Sequence, residues 1–251
     1  MSRSERISRL AGWIEDARHA VALTGAGVST ESGIPDFRSP DGGLWKDVDP
    51  MDVASIDGFR HDPKRFYAFW RSKYAALTAA EPNVTHRFLA ELEARGRLQA
   101  VVTQNVDGLH ARAGSRRVIE VHGTFQTASC LACGDRQSIE VVFDEVDGAG
   151  LATCLVKGDG LYKPDVTFFG EMLPPAFGEG EKEARRSDLF LVLGSSLEVY
   201  PVADLVPAAK AGGARVVILN REPGPFDSIA DLVIHDQLGM TVARLAAELG
   251  V

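Results

Sequence analysis

Three cysteines among 251 residues are too few for a disulfide-stapled secreted scaffold, and no secretory leader is evident. The expectation is a cytoplasmic chain with free thiols. No apolar run approaches the roughly 18–20 residues that a membrane-spanning helix needs, so no membrane partner is expected. A basic surplus is also missing: 27 Lys and Arg face 35 Asp and Glu, for a net charge of −8. That balance argues against nucleic-acid binding and fits a cationic partner such as a lysine-bearing polypeptide, or simply a well-solvated surface. Internal repeats and low-complexity linkers are absent. What remains is 45% hydrophobic and 25% charged, ordinary for a folded globular chain, at a length that suits one α/β unit carrying an insertion.

The first segment alternates Arg3, Arg6 and Arg9 with serines, loosely like a transit peptide. However, Ile7, Leu10, Ala11 and Ile14 fall at helical spacing among Glu5, Glu15 and Asp16, which predicts a packed first helix. Short apolar runs at 20–24, 98–103, 118–121, 189–193, 215–219 and 232–234 lack strict alternation, as strands covered on both faces do. Helical patterns at 85–95, 201–211 and 241–249 alternate with them. This is the order of a Rossmann-like, doubly wound parallel sheet in the α/β class.

Two stretches break the rhythm. Residues 41–81 are rich in aromatics and read as a helical insertion; 129–163 hold all three cysteines. The expected division is a discontinuous nucleotide-binding domain at 1–40, 82–124 and 164–251. The helical insertion at 41–81 and a cysteine-containing, zinc-ribbon-like module at 125–163 would form a smaller lobe.

Chemistry gathers at the carboxyl ends of these strands, where open α/β sheets bind ligands. Gly25, Ala26, Gly27 and Ser29 follow the first strand, and missing side chains at the two glycines would let backbone N–H groups approach a pyrophosphate. A merely tight strand-to-helix turn would also need these glycines. Gly194, Ser195 and Ser196 follow a second strand, and Asn220, Arg221 and Glu222 a third. Residues 103–110, TQNVDGLH, and 122–124, HGT, concentrate amides, a carboxylate and an imidazole. His122 is the candidate general base, since imidazole titrates near neutrality. Asn105 and Asp107 are candidates to hold a ribose and its base, or to cap the helix that follows. His19, His61, His86 and His235 read as structural, and His110 as ordering its own loop.

With GAGVS at 25–29, GIPDFRS at 33–39, TQNVDGLH at 103–110, HGT at 122–124, KPDVTFFGE at 163–171 and GSSLEV at 194–199, the chain closely resembles the sirtuins, NAD-dependent protein-lysine deacylases, over almost its whole length. The resemblance implies that the acyl-lysine oxygen attacks the nicotinamide ribose, that nicotinamide leaves, and that His122, with Asn105 and Asp107, serves the catalytic step that ends in O-acyl-ADP-ribose. It places Asp36, Phe37 and Arg38 on a cofactor loop, Phe37 shielding the reactive carbon from water. Gln104 would touch the ribose, and Leu238 joins the cofactor-binding candidates. Acyl-lysine protein or peptide would add as a strand between Val166, Phe168, Phe169, Gly170, Glu171 and Val199, with Phe168 or Phe169 alternatively in the core. A mono-ADP-ribosyltransferase on the same scaffold, a non-catalytic NAD or ADP-ribose module, and more remotely an oxidoreductase are the competing readings.

Two departures qualify the resemblance. Sirtuins carry two Cys-x-x-Cys pairs around zinc; here Cys130 and Cys133 form one, but the other reads Cys154-Leu155-Val156-Lys157. A protonated ammonium has no lone pair, which leaves open either a fourth ligand from elsewhere or no metal. The tyrosine and arginine with which one branch binds succinyl or malonyl groups correspond to Trp70 and Lys73, which favours an uncharged acyl group such as acetyl, with an acidic one held by Lys73 as the alternative.

Overall fold

The computed structural model describes residues 1–36, 43–146 and 148–251. Its strands are β1 (Ala20–Thr24), β2 (Ala100–Thr103), β3 (Val118–Glu120), β4 (Gly123–Cys130), β5 (Arg136–Ser138), β6 (Tyr162–Val166), β7 (Leu189–Leu193), β8 (Arg215–Leu219) and β9 (Leu232–Ile234). Six of them form a parallel sheet in the order β3-β2-β1-β7-β8-β9. The order reverses between β1 and β7, so the loops after those strands open a crevice on the carboxyl edge.

Both faces of this sheet are covered. Ala20, Ala22, Leu189, Leu191, Val217 and Leu219 point to one face, packed under the helices Arg3–Asp16, Val84–Ala94 and Leu238–Leu249. Val21, Leu23, Phe190, Val192, Val216 and Ile218 point to the other, under Ala176–Arg186 and Leu205–Ala211. The strict alternation of faces along strands that are apolar throughout is why sequence periodicity vanishes there. The first helix buries Ile7, Leu10, Ala11 and Ile14, the four residues its spacing predicts, and begins with a reciprocal Ser2–Glu5 capping box.

A second, antiparallel sheet, β5-β4-β6, lies beside the helix Pro63–Ala79. They share one core: Phe66 meets Phe59 edge-to-face at 5.0 Å and Phe168 at 5.2 Å, and Trp70 meets Phe125 at 5.2 Å. The aromatic stretch thus folds as the helical insertion its composition predicts. The cysteine segment holds more regular structure than its sequence suggests, including β5 and the helix Ile139–Asp144.

Candidate active site

Backbone meets backbone at the floor of the crevice. Gly25 N–H donates to the Leu193 carbonyl at 3.1 Å, and Gly27 N–H to the Gly194 carbonyl at 2.9 Å. A Cβ on Gly25 or Gly27 would lie 2.8 Å from that Gly194 oxygen, and Gly194 itself sits at φ +60° with its missing Cβ facing Val28 N at 2.6 Å. The glycines therefore interlock two strand-end loops. Their own amides are spent on protein carbonyls.

Above this floor a buried polar network joins β1, β2 and the turns after them. Thr24 Oγ1 donates to Thr103 Oγ1 at 2.8 Å, and Thr103 Oγ1 also accepts from Asn105 N at 3.0 Å. Asn105 spends both protons of its Nδ2, on the Gly25 carbonyl and on Ser29 Oγ, each at 3.1 Å. Its Oδ1 is thereby set as the amide's remaining acceptor. Ser29 Oγ donates to Asp107 Oδ2 at 2.6 Å, while Asp107 Oδ1 accepts from Leu109 N at 2.9 Å. Asp107 thus takes the first amide of the short helix Leu109–Arg112, whose N-cap is Gly108, and also holds Ser29.

His86 enters the same network. Its Nδ1 accepts from Asn83 N at 3.3 Å as part of a helix cap, so its Nε2 carries the proton and faces Ser29 Oγ at 3.5 Å. The sequence marks it only through the cap spacing from Asn83. Burial lowers its pKa to about 4, with Asp107 opposing the shift. His110 does not order its own loop through its side chain: Nε2 lies 2.9 Å from Thr24 Oγ1, and the ring lies 4.8 Å from that of His86. Burial, reinforced by His86, lowers the His110 value to about 3. His19 is structural, its Nε2 bonded to buried Glu183 at 2.7 Å.

His122 stands where β3 hands over to β4. Its Nδ1 lies 3.1 Å from the Gln104 carbonyl, an atom that only accepts, so Nδ1 holds the proton and Nε2 presents its lone pair. Burial holds the imidazole below its ordinary pKa, and the bond to Gln104 works against that shift. The ring is accordingly a neutral base near neutral pH. Gln104 is the junction of the site: its N–H reaches the Thr24 carbonyl at 3.0 Å and its side chain donates to Ser195 Oγ at 2.9 Å.

Further out, Asn220 Nδ2 turns back to the Glu222 carbonyl at 2.8 Å, and Arg221 pairs with Glu222 at 3.3 Å on the surface. Ser196 is exposed. Leu238 packs against the main core, and the adjoining Gly239 N–H holds Glu31 Oε1 at 3.0 Å. Asp36 is half-buried, its carbonyl accepting from Leu44 N at 2.8 Å; Phe37 and Arg38 lie outside the described residues.

The segment expected to receive a peptide is held by an inward-turned ammonium. Lys163 Nζ donates to the carbonyls of Pro164 and Val166 at 2.9 and 2.8 Å and to Glu171 Oε2 at 3.1 Å, and stands 4.1 Å over the Phe168 ring. Phe168 is a core residue, whereas Phe169 is 42% exposed. Main-chain atoms of Phe169 are already bonded to Ala54 and Ile56, and Thr167 N to the His122 carbonyl. The Glu171 N–H is likewise spent, on the Phe168 carbonyl at 3.0 Å. A cavity of about 480 Å³ opens alongside, lined by Ile56, Arg60, Val166, Gly170, Glu171 and Met172. Val199 is half-buried and its neighbour Tyr200 exposed. Trp70 is buried with its indole N–H on the Val53 carbonyl at 2.6 Å, and Lys73 lies 5.7 Å over Phe69.

The thiols of Cys130, Cys133 and Cys154 lie within 4.8 Å of one another. Backbone N–H groups of Ala132 and Lys157 donate to Cys130 Sγ and Cys154 Sγ at 3.3 and 3.4 Å, as amides do around metal-bound thiolates. This donor set fits a thiophilic ion, and the cluster could hold zinc; the metal would tie two loops of the small sheet. Cys130 ends the strand that His122 precedes, eight residues and about 25 Å away in extended chain, which makes such an ion structural.

Comparison with known proteins shows the family. The model of the Sir2 family matches residues 25–201. The chain is 46% identical to the NAD-dependent protein deacetylase 1 of Geobacillus kaustophilus, covering 91% of this chain and 92% of that protein. It is 42% identical to the NAD-dependent protein deacylase 2 of Archaeoglobus fulgidus, over 97% and 96%. Among solved structures, a Sir2–p53 peptide–NAD+ complex superposes with a TM-score of 0.91 at 37% identity, covering 100% of this chain and 99% of that one. Sir2Tm bound to a propionylated peptide gives 0.89 at 37%, covering 97% and 98%. With its fold and its sequence in accord, the chain belongs to the Sir2 family.

Proposed function

We propose that this protein is an NAD-dependent protein-lysine deacylase that moves an uncharged acyl group, acetyl foremost, from lysine to ADP-ribose and releases nicotinamide. The observation that carries this reading is the fixed tautomer of His122, whose Nδ1–H is anchored on Gln104 so that Nε2 is the free base. In the proposed sequence the acyl oxygen attacks the anomeric carbon as nicotinamide departs. His122 Nε2 then takes a proton from a ribose hydroxyl, and that oxygen attacks the resulting imidate. Asn105 Oδ1, oriented by Gly25 and Ser29, and Asp107, held by Ser29, support the ribose and nicotinamide. The relatives' names, and the acylated and p53 peptides in the neighbouring structures, support the substrate class.

Trp70 supports the uncharged acyl preference, because its only polar edge is committed to Val53 and it offers nothing to an acyl carboxylate. A reducing cytoplasm suits three thiols that remain free at 3.6 Å between Cys133 and Cys154 Sγ; among the described residues no helix is long and apolar enough to cross a membrane. The test is mass spectrometry of the purified chain with NAD and acylated or unmodified lysine peptides. Nicotinamide and O-acyl-ADP-ribose should appear in equal amounts, and only with the acyl peptide. Nicotinamide release without it, together with ADP-ribosylated protein, would overturn the reading in favour of a mono-ADP-ribosyltransferase.

A further inference from the structure

The two turns of the thiol cluster are near copies of one another. In Cys130-Leu131-Ala132-Cys133-Gly134 the glycine N–H donates to the Cys130 carbonyl at 2.9 Å, and Gly134 has φ +75°. In Cys154-Leu155-Val156-Lys157-Gly158 the glycine N–H donates to the Cys154 carbonyl at 2.9 Å, and Gly158 has φ +69°. Each turn also sends an inner amide to its first sulfur. By backbone geometry Lys157 therefore stands where Cys133 stands in the other turn. The fold of a two-turn metal clamp is intact, and only the side chain at its fourth corner has changed.

The fourth corner has no replacement among the described residues. Among the described residues no other cysteine, histidine or carboxylate joins the group. Asp135, two residues beyond Cys133, has Oδ2 occupied by the Tyr162 hydroxyl at 2.5 Å and by Gln137 Nε2 at 2.9 Å. Lys157 and Cys133 are both exposed, so this corner faces solvent. Three thiolates around a divalent ion sum to −1, which a cation on the Lys157 turn offsets, and they leave one tetrahedral position that a soft, sulfur-held ion fills best with another sulfur donor.

We propose that Cys130, Cys133 and Cys154 form a metal centre with one exchangeable coordination position, whose preferred external occupant is a small-molecule thiolate. Such a centre binds its ion more loosely than a closed four-thiolate site and reports on the thiols around it. The proposal does not depend on the deacylase reading, and its test does not use catalysis.

Cobalt(II) is the probe. The full-length chain is stripped with a chelator, reloaded with one equivalent of Co2+, and titrated with 2-mercaptoethanol while the visible ligand-field bands are followed. Wild type should bind one Co2+ and change its spectrum saturably with a single equivalent of bound thiol. Lys157→Cys should give a four-thiolate spectrum that 2-mercaptoethanol leaves untouched, and should release the ion to a competing chelator at least tenfold more slowly. Lys157→Met, which keeps the corner open without its charge, should respond to thiol with several-fold weaker affinity. A wild-type spectrum that matches Lys157→Cys and ignores thiol would overturn the proposal, as would Co2+ binding by Lys157→Cys but not by wild type or Lys157→Met.

Discussion

At the carboxyl ends of β1 and β2, Thr24, Ser29, His86, Thr103, Asn105 and Asp107 are all buried, and each is bonded to another member of the set or to backbone. Between the antiparallel sheet and the helix Pro63–Ala79 the space is filled by rings: Phe59, Phe66, Tyr67, Trp70, Phe125 and Phe168. The first region is held by directional bonds in which every partner orients the next, and the second by volume and contact area. A polar network of this kind fixes atoms to within a bond's tolerance but fails sharply when one member is lost. An aromatic core yields gradually and tolerates reshaping. His122, the proposed base, lies on the seam between them, in the link from the parallel to the antiparallel sheet.

The sharpest way to break this comparison is at the seam. His122→Ala should reduce acyl-dependent nicotinamide release by at least about 10²-fold, as expected for removal of a general base, while calorimetric NAD binding stays within a few-fold. Unchanged turnover would remove the mechanism. In the aromatic core, Phe66→Ala should cost about 3–5 kcal/mol of stability, measured by urea unfolding, with KM for NAD in the remaining folded fraction unaltered. If KM rose in step with the lost stability, the two regions would not be independent.

Acid should strike the polar network first. His86 and His110 are neutral in the fold, with pKa values lowered to about 4 and about 3 by burial. Unfolded imidazoles titrate near 6.5, so the unfolded chain binds more protons below that point. Their contribution to stability is whole above about 6.5 and is lost as pH falls toward the folded values. Urea midpoints from pH 7 to 5 should therefore decline; a flat profile would mean that the two rings are hydrated. Because burial also lowers the His122 pKa, the acid limb of kcat/KM should lie below the ordinary imidazole value.

Smaller effects sharpen the contrast. Ser29→Ala leaves an Asp107 oxygen and an Asn105 proton without partners and should cost about 1–3 kcal/mol, with a clear fall in kcat/KM for NAD. A loss of stability alone would make Ser29 only a brace. Trp70→Phe removes one bond to Val53 and should cost about 1 kcal/mol, with no change in the acetyl-over-succinyl preference measured on matched peptides.

How far the sequence revealed all this differs between the same two regions. Runs at 20–24, 189–193, 215–219 and 232–234 coincide with β1, β7, β8 and β9, because a strand buried on both faces must be apolar throughout. The helix Ala176–Arg186 is hidden because it buries Gly180, Glu183 and Ala184, and its glutamate is paired with His19 and Arg117 from distant segments. Pro164 disguises β6, and the polar GTFQTASC disguises β4. Motifs located His122, Asn105 and Asp107, but what binds them to Ser29, His86 and Ser195 depends on contacts between residues up to 91 apart. The small amide spacing around Asn83 hinted at a helix cap and gave no sign that His86 also faces the site.

The interlocked glycines at Gly25, Gly27 and Gly194 carry one last consequence. A bed laid in main chain has no side chains to exchange, so substitutions can neither deepen nor widen it, and even a single methyl group would push the loops apart. Under the proposed function, retuning of which acyl group or peptide is accepted would have to come from side chains such as Arg60 and Met172, which line the neighbouring cavity and can change without lifting the floor.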